Sequence, residues 1–135
     1  MIKLSSDGPV VMVDDNGGDI FFVERCYDAS KVDNDFLSFR RGQDFLSMLE
    51  QVKAGRKTMP SLVLLDLNMP GMNGLDVLTN VRADPYFHEM PIFCVLTSSR
   101  DPRDKQRAAD LNVSGFFTKA ATMEEYISFF DGLVT

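Results

Sequence analysis

The run Ser61-Leu62-Val63-Leu64-Leu65-Asp66-Leu67-Asn68-Met69-Pro70-Gly71-Met72-Asn73-Gly74 decides the fold. Ser61 to Asp66 reads as a strand whose core, Leu62 to Leu65, is unbroken in its apolar character. Such a strand is buried on both faces, as in a parallel sheet covered by helices, and does not alternate like a half-solvated antiparallel strand. A charge closes it at Asp66. Met69 to Gly74 is rich in turn residues. A helix from about Leu75 to Ala83 follows and stops before Asp84-Pro85, because the residue ahead of a proline disfavours helical backbone.

The same unit of strand, polar terminus and helix recurs on both sides. Upstream, Val10-Val11-Met12-Val13 is a compact apolar strand ending in Asp14-Asp15. A helix opens near Asn16 to Asp19 with Ile20, Val23 and Tyr27 facing inward. Phe36 to Phe39 reads as a second strand, closed by Arg41-Gly42. Phe45, Met48, Leu49 and Val52 then fall at i, i+3, i+4 and i+7 of a helix that Gly55 stops. Downstream, Ile92 to Thr97 is a fourth strand. Asp101 to Leu111 is a helix with few apolar anchors, crowded by Arg100, Asp101, Arg103, Asp104, Lys105 and Arg107. Gly115-Phe116-Phe117 marks a fifth strand running to Lys119. The last helix is expected to turn Met123, Tyr126, Ile127, Phe130 and Val134 inward. Phe129 and Leu133 form a second apolar stripe, either a dimer or partner surface or peripheral core packing. Five alternations of strand and helix imply an α/β fold with a parallel sheet covered on both faces. In such folds a ligand site lies beyond the carboxyl ends of the strands, where strand order reverses.

Composition narrows the function classes. The chain has 135 residues, enough for one domain with a real core, and a net charge of −6, which disfavours unaided binding to nucleic acid. No apolar stretch is long enough to span a membrane and the N-terminus has no signal-peptide core, so a cytoplasmic protein is expected. Cys26 and Cys94 each lie in an apolar run and read as buried, inert thiols. His88 is the sole histidine, which excludes a His-rich zinc site.

The residues that close the strands carry the chemistry. They are Asp14 and Asp15 after the first strand, Asp66 after the third, Thr97 and Ser98 after the fourth and Lys119 after the fifth. In a parallel sheet they converge on one edge. Three crowded carboxylates repel one another unless a cation intervenes. A hard divalent ion with oxygen ligands resolves this, and Mg²⁺, or Mn²⁺ in its place, is suited to one or two carboxylates plus water and phosphate oxygens. The cluster suits phosphoryl chemistry, with Asp66 as the nucleophile that forms an aspartyl-phosphate and Asp15 as a direct metal ligand. Each element alone has a plainer reading. Asp-Asp after a strand is often a helix cap, Asp before a Pro-Gly turn is turn chemistry, Thr-Ser is a cap and the lysine is solvated. It is their joint occurrence, each at its own strand end, that argues for a site.

On these residues the chain resembles the receiver domains of two-component response regulators. The segments that carry the likeness are Val11-Met12-Val13-Asp14-Asp15-Asn16, Leu64 to Gly74, Val95-Leu96-Thr97-Ser98-Ser99 and Gly115-Phe116-Phe117-Thr118-Lys119. The likeness covers about Pro9 to Val134. The Asp84-Pro85 segment, the stretch Leu96 to Arg100 and the long second helix are similar to the subgroup that pairs with bacterial phytochrome-type kinases. The resemblance implies a flavodoxin-like doubly wound five-stranded parallel sheet of order 2-1-3-4-5 flanked by five helices. It implies a bacterial phosphorelay switch and not an enzyme, although one that takes part in its own phosphotransfer and dephosphorylation. Asp66 would accept a phosphoryl group from a sensor histidine kinase. Asp15, Asp66 and the backbone carbonyl of Asn68 would hold Mg²⁺, with Asp14 acting through a bound water. Thr97, Lys119 and the Ser98 amide would contact phosphoryl oxygens. Phe116 stands at the aromatic switch position coupled to Thr97, without the hydroxyl of the usual tyrosine. The family usually has a cis proline after the lysine, where this chain has Ala120. A cis bond to alanine costs roughly 3 kcal/mol against about 0.5–1 for proline, so a trans bond with a different seat for Lys119 is open to it.

With 16 residues after Lys119, one receiver domain over 1–135 with no output domain is expected, signalling to a downstream protein or phosphotransfer protein or through a homodimer. Two other classes fit less well. A phosphohydrolase with a nucleophilic Asp commonly needs a second acid two residues on, and Asn68 stands there. A flavodoxin-like cofactor carrier would need a phosphate loop after the first strand, where Asp14-Asp15 would repel an anion.

Overall fold

A computed structural model describes residues 2–4, 7–98 and 101–134. Ser99 and Arg100, part of the motif and of the charged helix entry above, lie outside the described residues. The elements run β1 Val10–Val13, α1 Gly17–Asp28, β2 Phe36–Phe39, α2 Gly42–Lys53, β3 Leu62–Asp66, α3 Gly74–Ala83, a short 3₁₀ turn Pro85–Phe87, β4 Phe93–Thr97, α4 Pro102–Asp110, β5 Gly115–Thr118 and α5 Met123–Gly132. The strands form one parallel sheet in the order β2-β1-β3-β4-β5. The flavodoxin-like expectation holds, with β3 and β4 starting one residue later than the apolar runs suggest. The 3₁₀ turn is an addition. Pro85 follows a residue that caps it, since the Asp84 side chain accepts from the Tyr86 amide.

Side-chain alternation along the buried strands splits the core in two. Val11, Val13, Val63, Leu65, Phe93 and Val95 join Phe45, Leu49, Val77 and Leu78 under α2 and α3. Val10, Met12, Leu62, Leu64, Cys94 and Leu96 join Ile20, Val23, Tyr27, Tyr126 and Phe130 under α1 and α5. Both faces of β1, β3 and β4 are therefore dry, which is why these strands read as continuous apolar runs. β2 is an edge strand, and its Leu37 and Ser38 are exposed.

The last helix departs from the expected pattern. Met123 and Val134 are 42% and 45% exposed, whereas Leu133 is 2% exposed and belongs to the core. The reason is the helix end. α5 stops at Gly132, so the 3.6-residue phase does not carry to Val134, and Leu133 turns back onto the sheet as the C-cap. The second stripe thus loses Leu133 as a surface residue. Phe129 is half-buried, tilted against the Phe117 ring and edge-on to Phe130. α4 agrees with its reading as weakly anchored, since Ala108 is its one buried residue among those described.

A guanidinium that the sequence did not single out ties this half of the molecule together. Arg82, near the end of α3, donates to the carbonyls of Phe87, Pro91, Leu111 and Asn112 at 2.8–3.1 Å. It also lies 5.0 Å from the centre of the Phe93 ring. Only arginine has a planar fork of donors able to reach four carbonyls. Arg82→Met is expected to destabilise the fold by about 3 kcal/mol, because acceptors lose a charged donor. Urea denaturation reads this as a lowered midpoint with unchanged slope.

Both cysteines are buried as expected. Burial pushes the Cys94 thiol up to about 12 and raises that of Cys26 as well. The reactive species is the thiolate. At pH 8 a maleimide is therefore expected to label neither thiol in the folded protein and both in urea, as read by intact mass.

Candidate functional site

The carboxyl edge of the sheet collects the charged residues. Asp14 follows β1, and its amide donates to Phe39 O on β2 at 3.0 Å, so the sheet continues one residue past the strand. Its Oδ1 accepts from the Asn16 amide at 2.9 Å, which turns the chain into α1. Asp66 does the same after β3, where its Oδ1 accepts from the Asn68 amide at 3.0 Å. These Asx turns aim the two aspartates inward. Asp14 is 0% and Asp66 1% exposed. Asp15 is half-buried, and its carbonyl accepts from Arg40 Nε and Nη2 at 3.2 and 2.9 Å.

The loop after Asp66 depends on two glycines. Gly71 has φ +72°, which a side chain disfavours. Gly74 opens α3 directly beneath the end of β3, and a Cβ there would run into Asp66 O and the Leu67 Cα. The Gly74 amide donates to Leu67 O at 3.2 Å. An Asn73–Asp76 capping box fixes the helix start. Glycine at 74 is what lets the helix stand close enough to fix the backbone that carries Asp66.

Carboxylate oxygens of Asp14, Asp15 and Asp66 lie within 4.8 Å of one another. Lys119 reaches into the same space after β5, where its amide donates to Thr97 O at 3.2 Å. Its Nζ lies 3.1 Å from Asp66 Oδ2, 2.8 Å from Asp14 Oδ2 and 2.9 Å from Asp19 Oδ2. Among the described residues the only cis peptide is Met90–Pro91. The Lys119–Ala120 bond is trans, and the lysine nonetheless reaches the acidic cluster. The approach to Asp14 Oδ2 is an ion pair without hydrogen-bond alignment, so that buried oxygen has no directed donor among the described residues.

The electrostatics follow from burial. Burial pushes the Asp66 carboxyl up to about 6. The Asn68 amide and Lys119 pull it down, and the Asp14 charge pushes it up further. Burial alone would lower the Lys119 pKa, yet the close carboxylates of Asp14 and Asp19 and the charge of Asp66 hold it above the ordinary lysine value. The site carries more negative charge than one ammonium neutralises. A dication suits it: three hard oxygen donors stand within reach, and one buried oxygen lacks a directed partner.

On the far side of Asp66, Thr97 is 5% exposed at the end of β4, and Ser98 is exposed beside it. Both line a cavity of about 450 Å³ with Lys105, Phe116, Thr118 and Ala120. Phe116 is half-buried, packed against the α2–α3 side of the core, with Lys105 Nζ 5.8 Å from its ring centre. Asn68 is exposed at the mouth of the β3–α3 loop. Asp14, Asp15, Asp66, Asn68, Thr97, Ser98 and Lys119 stand at this edge, and Phe116 lies two residues further back, opposite Val95 on β4. Two partners were not anticipated. Asp19 lies 100 residues from Lys119, and Arg40 braces Asp15 from the β2 side. Asp19 belongs to no strand-end motif, and Arg40, although it directly follows β2, carries the opposite charge to the acidic cluster and reads only as part of the strand's end.

Residues 10–130 match the family model described as the response regulator receiver domain. The chain belongs to this family. Similar proteins include the response regulator Rcp1 of Synechocystis, 26% identical over 125 residues, which are 92% of this chain and 84% of that one. Among solved structures, the phosphorylated cyanobacterial phytochrome response regulator RcpA superposes with a TM-score of 0.79 at 28% identity, covering 94% of this chain and 91% of that one. The Mn²⁺-bound form of Rcp1 gives 0.77 at 26%, covering 93% and 90%. This receiver domain is thus related to phosphoacceptor signalling proteins of two-component systems. Receiver domains bind a divalent metal, and the cluster of Asp14, Asp15 and Asp66 fits a Mg²⁺ or Mn²⁺ site. No helix among the described residues is long and apolar enough to cross a membrane.

Proposed function

We propose that this receiver domain takes a phosphoryl group onto Asp66 from the phosphohistidine of a sensor histidine kinase and passes the signal to a downstream protein or phosphotransfer protein in the cytoplasm. The observation that carries this reading is the meeting of Asp14, Asp15 and Asp66 within 4.8 Å with Lys119 Nζ 3.1 Å from Asp66. A carboxylate oxygen of Asp66 attacks phosphorus, the P–N bond to the donor imidazole breaks, and the imidazole keeps the electron pair and takes a proton. Lys119, the Thr97 hydroxyl and the Ser98 amide donate to phosphoryl oxygens as charge develops on them. Asp15, Asp66 and the Asn68 carbonyl would hold Mg²⁺ or Mn²⁺, with Asp14 acting through a water, and the ion supplies charge neutralisation. Water later cleaves the acyl phosphate in the same pocket.

Phosphorylation adds about −1.5 to −2 charges at the end of β3. Drawing Thr97 toward that charge makes room for Phe116 to move by packing alone, since it has no hydroxyl. The weakly anchored α4 is the element such a change would bias. The relation to Rcp1 and to RcpA supports a kinase of the phytochrome type as the donor. The direct test is incubation with acetyl phosphate and Mg²⁺, followed by intact mass. One phosphoryl adduct with Mg²⁺ and none with EDTA is the expected result. An adduct insensitive to EDTA, or none at all, contradicts the reading.

A further inference from the structure

Lys119 is the internal counterion of the acidic cluster in this structure. Its ammonium has three protons to donate, and three carboxylates surround it: Asp14, Asp19 and Asp66. Two of these belong to the group that would hold a dication, and Asp19 does not. A dication and the ammonium therefore compete for Asp14 Oδ2 and Asp66 Oδ2, and they repel each other if both stay there. Asp19 stands outside that competition. It lies in the first turn of α1, and its backbone amide is tied to Asn16 Oδ1 at 3.1 Å, so the helix start fixes its place. Its side chain is 43% exposed, so its own charge remains hydrated. Met12, Phe22, Val23 and Tyr126 line a small cavity beside the Asp19–Lys119 pair.

Resting on the phosphoacceptor reading above, we propose that Asp19 is a positioning residue for the metal site: it keeps the Lys119 ammonium at the pocket when a dication takes Asp66 directly and Asp14 through a bound water. Lys119 then stays within reach of an incoming phosphoryl group without blocking the oxygens the ion needs. Without Asp19 the ammonium is left, among the described residues, with the cluster's own carboxylates as ion-pair partners, and the ion must dislodge it from them.

The test is Mn²⁺ binding by calorimetry on the full chain. Asp19→Asn is expected to weaken Mn²⁺ about 10-fold, the lower end of the effect of residues that act behind the ligands. In a Lys119→Met background the same substitution is expected to change affinity less than about two-fold, because an exposed carboxylate acting only through space is screened by water and salt. Equal loss in both backgrounds, or no loss in either, overturns the proposal. A second measurement needs no Lys119 variant. In ¹⁵N-lysine-labelled protein, the Lys119 Nζ proton signal is expected to persist on adding Mg²⁺ to the wild type and to vanish on adding it to Asp19→Asn. Persistence in both overturns the proposal. A wild type that binds no dication overturns the phosphoacceptor reading itself, and this inference with it. Wild-type binding with no effect at Asp19 overturns the inference alone.

Discussion

Asp66→Asn is expected to abolish the phosphoryl adduct and to leave a domain that is more stable than the parent in metal-free buffer at pH 7. The two effects have one origin. Asp66 is 1% exposed and packed against Asp14, so its ionised form is unfavourable in the fold, and burial raises its pKa to about 6. Its folded-state value lies above that of the unfolded chain. Between about pH 4 and 6 the folded state therefore holds the proton more tightly than the unfolded one. The wild type loses stability as pH rises through that window, and the loss is complete above it. Asparagine has the same shape and no charge, so it escapes the loss while still accepting from the Asn68 amide. It cannot form an acyl phosphate. Thermal unfolding of both proteins from pH 4 to 7.5, with EDTA present, is expected to show the gap widening as pH rises. A variant less stable than the parent at pH 7 contradicts this account of the pocket.

Lys119→Met is expected to act in the opposite sense. It leaves Asp14 and Asp66 buried with no counterion, and breaking a buried pair by removing one partner costs about 3 kcal/mol or more. For a domain of this size that lowers the thermal midpoint by roughly 10 °C. Mg²⁺ is expected to restore much of the loss, because it supplies the positive charge that the lysine supplied, and the restored midpoint should depend on Mg²⁺ concentration. Phosphorylation from acetyl phosphate is expected to fall on the order of 100-fold even at saturating Mg²⁺, since one donor to the developing charge is gone. A variant with an unchanged midpoint in EDTA would mean that Lys119 does not neutralise the cluster in solution.

The sequence made the sheet legible because its inner strands are buried on both sides. Val10–Val13, Leu62–Leu65 and Val95–Leu96 carry no alternation that could be mistaken for an antiparallel edge. The strand ends were legible for a related reason. A charge that closes an apolar run, as at Asp14 and Asp66, marks the end of a strand even where the carboxylate itself turns inward and is buried. What stayed hidden was what depends on side chains meeting across the fold. Asp19 has the pattern of an ordinary first-turn acid on a helix, and nothing near it in sequence shows that Lys119 is its partner. Arg82 reads as a polar residue on α3, although it joins four carbonyls from two connections, α3–β4 and α4–β5. Leu133 and Val134 exchanged places because helical phase holds only as far as the helix does.

The central claim is that Asp66 is the residue that receives the phosphoryl group. Its most direct test is reductive trapping. After reaction with acetyl phosphate and Mg²⁺, borohydride converts an acyl phosphate of aspartate to homoserine, and peptide mass spectrometry locates it. Homoserine at position 66 alone is the predicted result. A trapped residue at Asp14, Asp15 or Asp19, or an adduct that borohydride does not reduce, would contradict it.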